Sequence, residues 1–325
     1  MQTLELKERR ESGIQVRALC DLIEKLRCPK CLGELHDEPS GVYCSSCSIL
    51  YPVTNGVIQF VSSEDYTESF GFEWNKYART QLDEKGSRGS EETFRRKTGF
   101  SANDLEGKWV LDVGCGMGRF AEVASRWGAN VVAVDLSRAA EVAAQNLADR
   151  NNVWVCRADL FHLPLAPASF DYIYSVGVLH HTPDCERAFK TLTQFLKPGG
   201  TIAIWVYSAY SKWYRMSDFY RRFTTRLPNK WLHALCQIAG LLYYVHRALR
   251  CVPAIGRILS GGLLNLFPMS THPKWDWRVL DTFDWYSPVY QSKHTYEEVF
   301  RWFEDCGLRD SRVLFEPVAV QGKRP

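Results

Sequence analysis

The sequence predicts an α/β fold in which helices cover both faces of a doubly wound, mostly parallel sheet. From residue 108 onward, short apolar runs rich in β-branched residues alternate with segments of helical character. The first of these runs leads into "VLDVGCGMGRF", residues 110–120, where three glycines follow the apolar residues at once. Glycines at such a turn allow the backbone to bend sharply and to pass close to a ligand. We therefore expect a ligand site at the carboxyl ends of the strands.

Length and composition suit one large domain or two unequal ones. The chain has 325 residues, of which 46% are hydrophobic, and a net charge of +3, which is too small to indicate nucleic-acid binding by itself. The start, "MQTLELKERRESG", lacks the apolar stretch of a signal peptide. The longest uncharged stretches, residues 231–246 and 258–273, are shorter than the roughly 20 residues that span a bilayer. We expect a cytoplasmic protein without a transmembrane helix, with peripheral attachment to a membrane as an alternative.

The first 107 residues divide into three predicted parts. Residues 1–27 form an N-terminal helix, residues 28–62 a zinc ribbon, and residues 63–107 linker helices that cover the ligand site. The ribbon prediction rests on two Cys-x-x-Cys pairs separated by twelve residues, a spacing typical of tetrahedral zinc. The four predicted ligands are Cys28, Cys31, Cys44 and Cys47. With four thiolate ligands the zinc would have a structural role, and buried unpaired thiols are the alternative.

The main domain, residues 108–325, is predicted to begin with five strands. In chain order they are "KWVLDVG", "NVVAVDLS", "VWVCRAD", "FDYIYSVGV" and "GTIAIWVY". The segments "RFAEVASRWG", "RAAEVAAQNLADR" and "DCERAFKTLTQFL" are predicted helices between them. A helix "YEEVFRWFEDCG" and a last strand "RVLFEPVAV" complete the domain. Because strands joined by helical crossovers run parallel, their carboxyl ends meet at one edge of the sheet.

A helical insertion between residues 208 and 280 interrupts this alternation. From residue 208 to 268 we count nine basic residues against one acid, Asp218. The segments "WLHALCQIAGLLYYV" and "ILSGGLLNLF" within it are apolar and helical in character. A basic helix with an apolar face lies on an anionic membrane surface or covers a pocket for an amphipathic substrate. A cap packed on the domain core and a contact with RNA are the alternatives.

Two acids are placed to bind parts of a nucleoside. Asp135 ends the second strand, and its carboxylate can accept hydrogen bonds from both hydroxyls of a ribose. Asp159 and Leu160 end the third strand, where a carboxylate can accept from an adenine amine while the leucine packs on the ring. The glycine spacing departs from the dinucleotide fingerprint GxGxxG because position 119 is Arg. A NAD-binding domain and a ligand-free α/β domain are the alternatives.

In this order, the features resemble the class I S-adenosylmethionine-dependent methyltransferases, specifically their type 11 group. The matching stretches are "VLDVGCGMGRF", "VVAVDLS", "ADLFHLPLAPASFDYIYSVGVLHHTPD" and "LKPGGTIAIWVY". The resemblance implies a Rossmann-like sheet of seven strands and S-adenosylmethionine as the cofactor. The cofactor-binding residues that it implies are Asp112, Gly114, Cys115, Gly116, Gly118, Asp135, Leu136, Asp159, Leu160, Val176 and Gly177. The ribbon also resembles zinc-ribbon domains that are fused to methyltransferases or act as their partners.

Methyl transfer to an oxygen acceptor usually needs a general base. The candidate bases are His181, just past the fourth strand, and His294, at the start of a predicted helix. The candidate substrate-binding residues are Trp74, His180, Tyr286 and Tyr290. For each of these side chains, packing in the protein core is the alternative role.

The resemblance implies methyl transfer to oxygen or nitrogen of a small-molecule, glycan or lipid-linked acceptor. The alternatives are an RNA methyltransferase and a non-catalytic scaffold that binds a protein partner. An Asn/Asp-Pro-Pro-aromatic motif, which holds the planar nitrogen of a base, is absent after the fourth strand, and this argues against RNA. The sequence leaves the acceptor and the oligomeric state open.

Overall fold

The computed structural model describes residues 19–83, 87–210, 215–253 and 255–325. The helix predicted for residues 1–27 therefore lies mostly outside the described residues. The strands are β1 (His36–Glu38), β2 (Gly41–Cys44), β3 (Ile49–Thr54), β4 (Val57–Gln59), β5 (Trp109–Val113), β6 (Asn130–Asp135), β7 (Val153–Arg157), β8 (Phe170–Val176), β9 (Leu196–Trp205), β10 (Arg309–Val313) and β11 (Ala319–Lys323). The α-helices are α1 (Cys20–Ile23), α2 (Glu68–Lys76), α3 (Gly89–Thr98), α4 (Ala102–Leu105), α5 (Arg119–Arg126), α6 (Ala139–Asn146), α7 (Cys185–Thr193), α8 (Arg215–Thr224), α9 (Asn229–Arg250), α10 (Gly256–Leu266), α11 (Trp275–Tyr286) and α12 (Tyr296–Asp305).

The predicted α/β fold with a largely parallel sheet is confirmed. Strands β7, β6, β5, β8 and β9 lie side by side and parallel, and β11 and β10 follow antiparallel at the far edge. These seven strands reproduce the Rossmann-like sheet that the sequence implied. The strand order reverses direction at β5, where the chain moves from one half of the sheet to the other. Ligands of such sheets bind at this switch point.

The end of the chain differs from the sequence prediction. One last strand was predicted over residues 312–320, whereas the structure has two, β10 and β11, paired as an antiparallel hairpin. The segment between them contains Pro317, which cannot donate to a strand ladder, and Val318 in the left-handed region with φ of 57°. The chain therefore turns back within the predicted strand.

The N-terminal ribbon is an extension of the same sheet. Strands β1 to β4 form an antiparallel meander, and β4 then pairs in parallel with β7. The Asn55-Gly56 turn between β3 and β4 has positive φ at both residues, 52° and 77°, as a two-residue hairpin requires. The described sheet thus contains eleven strands.

Both faces of the central sheet are buried, as alternating residues of one strand show. On β5, Leu111 and Val113 belong to one apolar cluster, whereas Val110 belongs to the cluster on the opposite face. The first cluster also contains buried residues of the ribbon, among them Cys28 and Tyr51. The ribbon and the central sheet therefore share one core.

Helix α11 connects the insertion to the rest of the protein. Its Val279 and Phe283 are fully buried against Leu232 and Cys236 of α9 and against Phe72 of α2. This apolar cluster fixes α11 and α2 next to each other, above the glycine turn that follows β5. In the described part of the chain, no helix is both long and apolar enough to cross a bilayer.

Candidate active site

The glycine turn after β5 is a close-packed cradle. Gly114, Gly116 and Gly118 all have positive φ, between 54° and 88°. A Cβ on Gly114 would lie 2.4 Å from the side chain of Val178, and a Cβ on Gly116 would lie 3.3 Å from Trp74 Nε1. Glycine is therefore required here both by backbone conformation and by space.

Asp135, at the end of β6, fixes the conformation of this turn. Its Oδ2 accepts a hydrogen bond from Gly116 N at 2.8 Å, and its Oδ1 accepts from the N and Oγ of Ser137 at 2.9 and 2.7 Å. Burial raises the pKa of the Asp135 carboxyl. Each carboxylate oxygen has further acceptor capacity, so Asp135 could also bind hydroxyl groups of a ligand in the adjoining cavity.

A cavity of about 400 Å³ opens beside the turn. Its lining contains most of the predicted cofactor residues, namely Gly114, Cys115, Gly116, Asp135, Leu136, Leu160, Val176 and Gly177. Its volume falls in the range of sites for small molecules and cofactors. The cavity fits a nucleoside-containing ligand such as S-adenosylmethionine. It combines the glycine turn, which has no side chains, with the Asp135 carboxylate and an apolar wall at Leu136 and Leu160.

Three predicted cofactor residues do not line the cavity. Gly118 starts α5 and packs against Leu147. Asp112 is buried beneath the turn, and burial raises the pKa of its carboxyl to about 8. Asp159 accepts from Phe161 N and pairs with His162 Nδ1, each at 2.9 Å. Gly118 and Asp159 therefore make contacts within the protein next to the cavity, and Asp112 lies in the core.

The wall opposite the glycine turn contains three carboxyl groups that the sequence analysis missed. Glu73 is only 1% exposed, and its Oε2 has no hydrogen-bond partner among the described residues. Asp281 accepts from Ser270 Oγ at 3.0 Å, and Asp284 accepts from Tyr207 Oη at 2.9 Å. All three line the cavity.

Burial changes the protonation of these acids. It raises the pKa of Glu73 well above its usual range, and the nearby charges of Asp284 and Asp281 add to the effect. It also raises the pKa of Asp281 to about 7. A buried acid without a cationic partner holds its proton more tightly because the charged form loses its solvation.

Two half-buried cations line the same cavity. Lys97 Nζ lies 3.4 Å from the centre of the Trp205 ring, and burial lowers its pKa to about 7. Arg119 begins α5 directly after the glycine turn, and it donates to Ser90 Oγ at 3.0 Å and to Gln81 Oε1 at 3.4 Å. Burial lowers its pKa to about 10, so the guanidinium stays charged at neutral pH.

Two predicted substrate and base residues line the cavity. Trp74 lies over the glycine turn, and His181 lies in the short 3₁₀ helix after β8. His181 Nδ1 is 3.0 Å from the carbonyl oxygen of Tyr290, to which it donates because a carbonyl only accepts. Burial lowers the pKa of His181, so the ring is neutral at neutral pH and its Nε2 carries a lone pair.

The other candidates lie outside the lining. His180 is fully buried and stacks on Tyr207 with ring centres 3.8 Å apart. His294 contacts Ser292 and Glu298, and its ring packs on Trp302. Tyr286 Oη donates to the carbonyl of Pro268 at 2.6 Å, and Tyr290 packs edge-on against Tyr66 of the cavity wall.

The spacing of residues in α2 and α11 could have indicated Glu73, Asp281 and Asp284 as cavity residues. In α2 and α11 the cavity residues recur every three or four positions, and acids interrupt otherwise aromatic faces. The α2 face contains Phe70, Glu73, Trp74; the α11 face contains Trp277, Asp281, Asp284, Trp285. An acid within a buried aromatic face is costly unless it has a function.

The four predicted zinc ligands form a separate cluster in the ribbon. Their Sγ atoms all lie within 4.8 Å of one another, with Cys28 and Cys47 at 3.9 Å and Cys31 and Cys44 at 3.6 Å. Four sulfurs bound tetrahedrally to zinc at about 2.3 Å lie about 3.8 Å apart. The cluster therefore has the donor set and spacing that a zinc ion requires.

Comparison with known proteins identifies the central domain. Residues 111–204 match the methyltransferase domain family. The chain contains a class I S-adenosylmethionine-dependent methyltransferase domain. This domain includes the glycine turn, Asp135 and the ends of β7 and β8, which lie on one side of the cavity.

Several curated methyltransferases are similar to this domain. Methyltransferase GfsG of Streptomyces halstedii is 38% identical over 130 residues, 38% of this chain and 44% of that protein. The ubiquinone biosynthesis O-methyltransferase of Coxiella burnetii is 37% identical over 101 residues, which cover 30% of this chain and 43% of that protein. Sterol 24-C-methyltransferase erg6 of Schizosaccharomyces pombe is 34% identical over 110 residues, 31% of this chain and 29% of that protein. The chain spans less than half the length of these relatives, one of which acts on sterols and another in ubiquinone biosynthesis.

Two solved structures are also similar to this chain. A S-adenosylmethionine-dependent methyltransferase from Aquifex aeolicus is 16% identical with a TM-score of 0.44, and the match covers 77% of this chain and 98% of that one. A methyltransferase of the same cofactor dependence from Mesorhizobium loti is 33% identical with a TM-score of 0.32, covering 37% of this chain and 53% of that one.

Proposed function

We propose that the protein transfers the methyl group of S-adenosylmethionine to the nitrogen of an amine. The methyltransferase domain and its cavity support the reaction class. The main support for an amine acceptor comes from Glu73. Its Oε2 is buried without a hydrogen-bond partner among the described residues, in a cavity that Asp281 and Asp284 also line. A buried carboxylate oxygen without a donor is costly, and a protonated amine would supply that donor.

Each part of the cofactor has a suitable binding residue on the side of the cavity formed by the glycine turn. Asp135 would bind the ribose hydroxyls, and Leu136 and Leu160 would hold the adenine. Arg119, directly after the glycine turn, would pair with the cofactor carboxylate, since a guanidinium is well suited to that group. When bound, S-adenosylmethionine supplies a methyl group that is already activated on a positively charged sulfur.

The acceptor side favours a cation over an anion. Three carboxyl groups line it, against Lys97 alone. Burial disfavours the charged forms of Glu73, Asp281 and Lys97 alike, and a bound ammonium would favour ionisation of the more numerous acids. Aromatic rings complete the wall, among them Trp74, Trp277 and Trp285. Aromatic faces and carboxylates both attract ammonium groups, and together they form the usual surroundings of a bound amine.

Side chains of the cavity can also accept the proton that the acceptor amine must lose. An amine attacks carbon only through its unprotonated nitrogen, so the ammonium form must first lose a proton. Asp281, with a pKa of about 7, and neutral His181, with a lone pair on Nε2, are bases of suitable strength beside the cavity. Holding the amine against Glu73 and Asp284 would fix its orientation toward the glycine turn, which is the larger part of catalysis for an activated methyl donor.

Replacing Glu73 by Gln tests the acceptor class. The change keeps the shape of the side chain but removes its charge, and a hydrogen bond to a charged group contributes about 1.5–3 kcal/mol. We expect kcat/KM toward amines to fall by about 10-fold to 100-fold, while the Kd for S-adenosylmethionine changes by less than about three-fold. The matched control is Glu68→Gln, an exposed glutamate on the same helix α2, which should behave as wild type.

The measurement is transfer of labelled methyl groups from the cofactor into a panel of amines, alcohols and phenols, together with calorimetric cofactor binding. If only hydroxyl compounds are methylated, the protein is a methyltransferase but its acceptor is not an amine. A large loss of cofactor affinity in Glu73→Gln would instead place Glu73 on the cofactor. Cofactor binding without transfer to any class of compound, RNA included, would favour a scaffold.

We also propose that the cysteine cluster binds a structural zinc ion. Four thiolates fill all tetrahedral positions and leave none for a substrate. The Oη of Tyr51 lies 3.3 Å from Cys28 Sγ and would fix that ligand by a hydrogen bond. The zinc would hold the ribbon against the central sheet and take no part in methyl transfer.

A further inference from the structure

Helix α9 exposes a continuous apolar stripe to solvent. Trp231 is 70% exposed, Leu235 50%, Ile238 63%, Leu241 54% and Val245 48%. Their spacing of three or four residues places them on one side of the helix over its whole length. Single exposed apolar residues are ordinary, but a stripe of this size usually marks an interaction surface.

Helix α10 continues this surface. Four large apolar side chains on and next to it are exposed: Ile255 at 55%, Ile258 at 74%, Leu259 at 46% and Leu266 at 53%. Its opposite side packs on α9, where Ser260 Oγ lies 2.9 Å from His246 Nδ1 and Leu264 packs against Tyr243. The two helices are therefore held together on one side and present apolar side chains on the other.

The opposite face of α9 is fixed to the protein. Its Leu232 and Cys236 are buried against Val279 and Phe283 of α11. Helix α9 therefore packs in the core through one face while its other face exposes the apolar stripe. We name the exposed side chains of α9 and α10 the outer face.

The chain segment that contains the outer face carries charge of one sign, although the Arg221 guanidinium donates to the Pro288 carbonyl and is mostly buried. Residues 219 to 275 contain no Asp or Glu, whereas they contain eight basic residues. These are Arg221, Arg222, Arg226, Lys230, Arg247, Arg250, Arg257 and Lys274. Lys230 lies at the start of α9 and Arg247 and Arg250 at its end, so cations lie at both ends of the apolar stripe.

We propose that the outer face docks on the surface of an anionic lipid bilayer. A helix with bulky apolar residues on one face and basic residues at its margins inserts its apolar side chains among the acyl chains while the cations contact lipid headgroups. Long basic side chains can reach the headgroups from the edges of such a face. Trp231 at one end of the stripe suits the boundary between headgroups and acyl chains.

Other occupants fit this surface less well. RNA would use the cations but would leave large aliphatic side chains such as Ile238 and Ile258 without a matching partner. A second copy of the chain would cover the apolar residues but would bring two sets of basic residues together. An anionic bilayer satisfies the apolar and the basic groups at once.

The test is flotation of the full-length protein with vesicles. One preparation contains phosphatidylcholine with about one third phosphatidylserine, and the other contains phosphatidylcholine alone. We expect binding to the anionic vesicles only, decreasing at least ten-fold between low and high salt because the headgroup attraction is screened. No cofactor is added, so the outcome does not depend on the proposed methyl transfer.

Two variants locate the surface. Ile238→Ser with Ile258→Ser should weaken vesicle binding at least ten-fold, and Arg247→Gln with Arg250→Gln should weaken binding at low salt and reduce its salt dependence. The matched controls are Val313→Ser and Arg309→Gln, exposed residues of β10 outside the insertion, which should bind as wild type. All substituted side chains are exposed, and unchanged thermal unfolding would verify the fold.

Failure to bind anionic vesicles at low salt would overturn the proposal. Equal binding of the Ile238→Ser, Ile258→Ser variant and wild type would overturn it as well. If sedimentation shows a dimer that this variant abolishes, the occupant is a second copy. If RNA binding is abolished by the variant while vesicle binding is absent, the occupant is RNA.

Discussion

At the scale of single residues, burial rather than residue type decides the chemistry of the cavity. Asp281, Lys97 and His181 are ordinary titratable groups, yet burial brings the pKa of Asp281 and of Lys97 to about 7 and lowers the pKa of His181 below its usual value. Sequence identifies such residues poorly because the protonation of a side chain depends on its surroundings. His181 is predicted as a candidate from its position after a strand and does line the cavity, whereas Asp281 lies far away along the chain and carries no such signal.

The altered pKa of Asp281 predicts a pH dependence of stability. An unfolded aspartate titrates near 3.9, whereas burial raises the pKa of Asp281 to about 7. The folded state therefore binds this proton more tightly, so the stabilisation is fully present below about pH 4 and is lost as pH rises through about 7. Three pKa units correspond to at most about 4 kcal/mol.

Urea denaturation of wild type and Asp281→Asn measures this contribution. Between about pH 4 and pH 8 the free energy of unfolding of wild type should fall relative to that of the variant by up to about 4 kcal/mol. Asp276→Asn, an exposed aspartate on the same helix, is the control and should follow wild type. Parallel curves for wild type and Asp281→Asn would contradict the raised pKa.

At the scale of helices and strands, periodicity predicted most elements of the central domain. The five parallel strands and the helices between them follow from alternating apolar runs and from glycine at the turns. Two features of the sheet did not follow. The pairing of β4 with β7 joins residues about one hundred positions apart, and no local pattern specifies such a pair. The hairpin of β10 and β11 replaced one predicted strand because Pro317 and Val318 turn the chain.

Helix α11 depends on a buried cation that periodicity does not reveal. Arg278 is 1% exposed, and its guanidinium donates to the carbonyl oxygens of His272, Gly240 and Pro273 at 2.9 to 3.2 Å. It also lies 3.6 Å from the centre of the Tyr243 ring. These contacts join α11 to α9 and to the segment before α11. They hold the helix whose other face forms the acidic wall of the cavity.

Replacing Arg278 by Met should destabilise this connection. Methionine fills similar space but leaves three carbonyl groups without their donor, which costs about 3 kcal/mol or more. We expect a corresponding loss in the free energy of unfolding, measured by urea denaturation. Arg250→Met, at the exposed end of α9, is the control and should change stability by less than about 0.5 kcal/mol. A loss of the same small size for Arg278→Met would show that its hydrogen bonds contribute little.

At the scale of the whole molecule, the ribbon and the catalytic domain form one continuous sheet and one core. Cys28 and Cys44 are fully buried in the same apolar cluster as Leu111 of β5 and Val132 of β6. The sequence predicted the ribbon as a separate part, because the cysteine spacing indicates a candidate metal site but not what packs against it. The glycine turn lies at the end of β5, three strands from β4 in the order of the sheet. The ribbon should therefore influence stability more than cofactor binding.

Removal of the proposed zinc ion tests whether the ribbon affects stability more than cofactor binding. A structural zinc supplies folding free energy directly, and a loss of about 3 kcal/mol corresponds to a Tm lower by about 4 °C for a protein of this size. We expect chelation, or Cys44→Ser, to lower the Tm by this amount and to remove hydrogen-exchange protection from β2 and β3. The Kd for S-adenosylmethionine and the protection of β5 and β6 should change little, and added zinc should restore the chelated protein. Cys251→Ser, at an exposed cysteine outside the cluster, is the control. If protein purified with added zinc contains no bound metal and Cys44→Ser melts as wild type, the cluster is a set of packed thiols and the sheet holds the ribbon by itself.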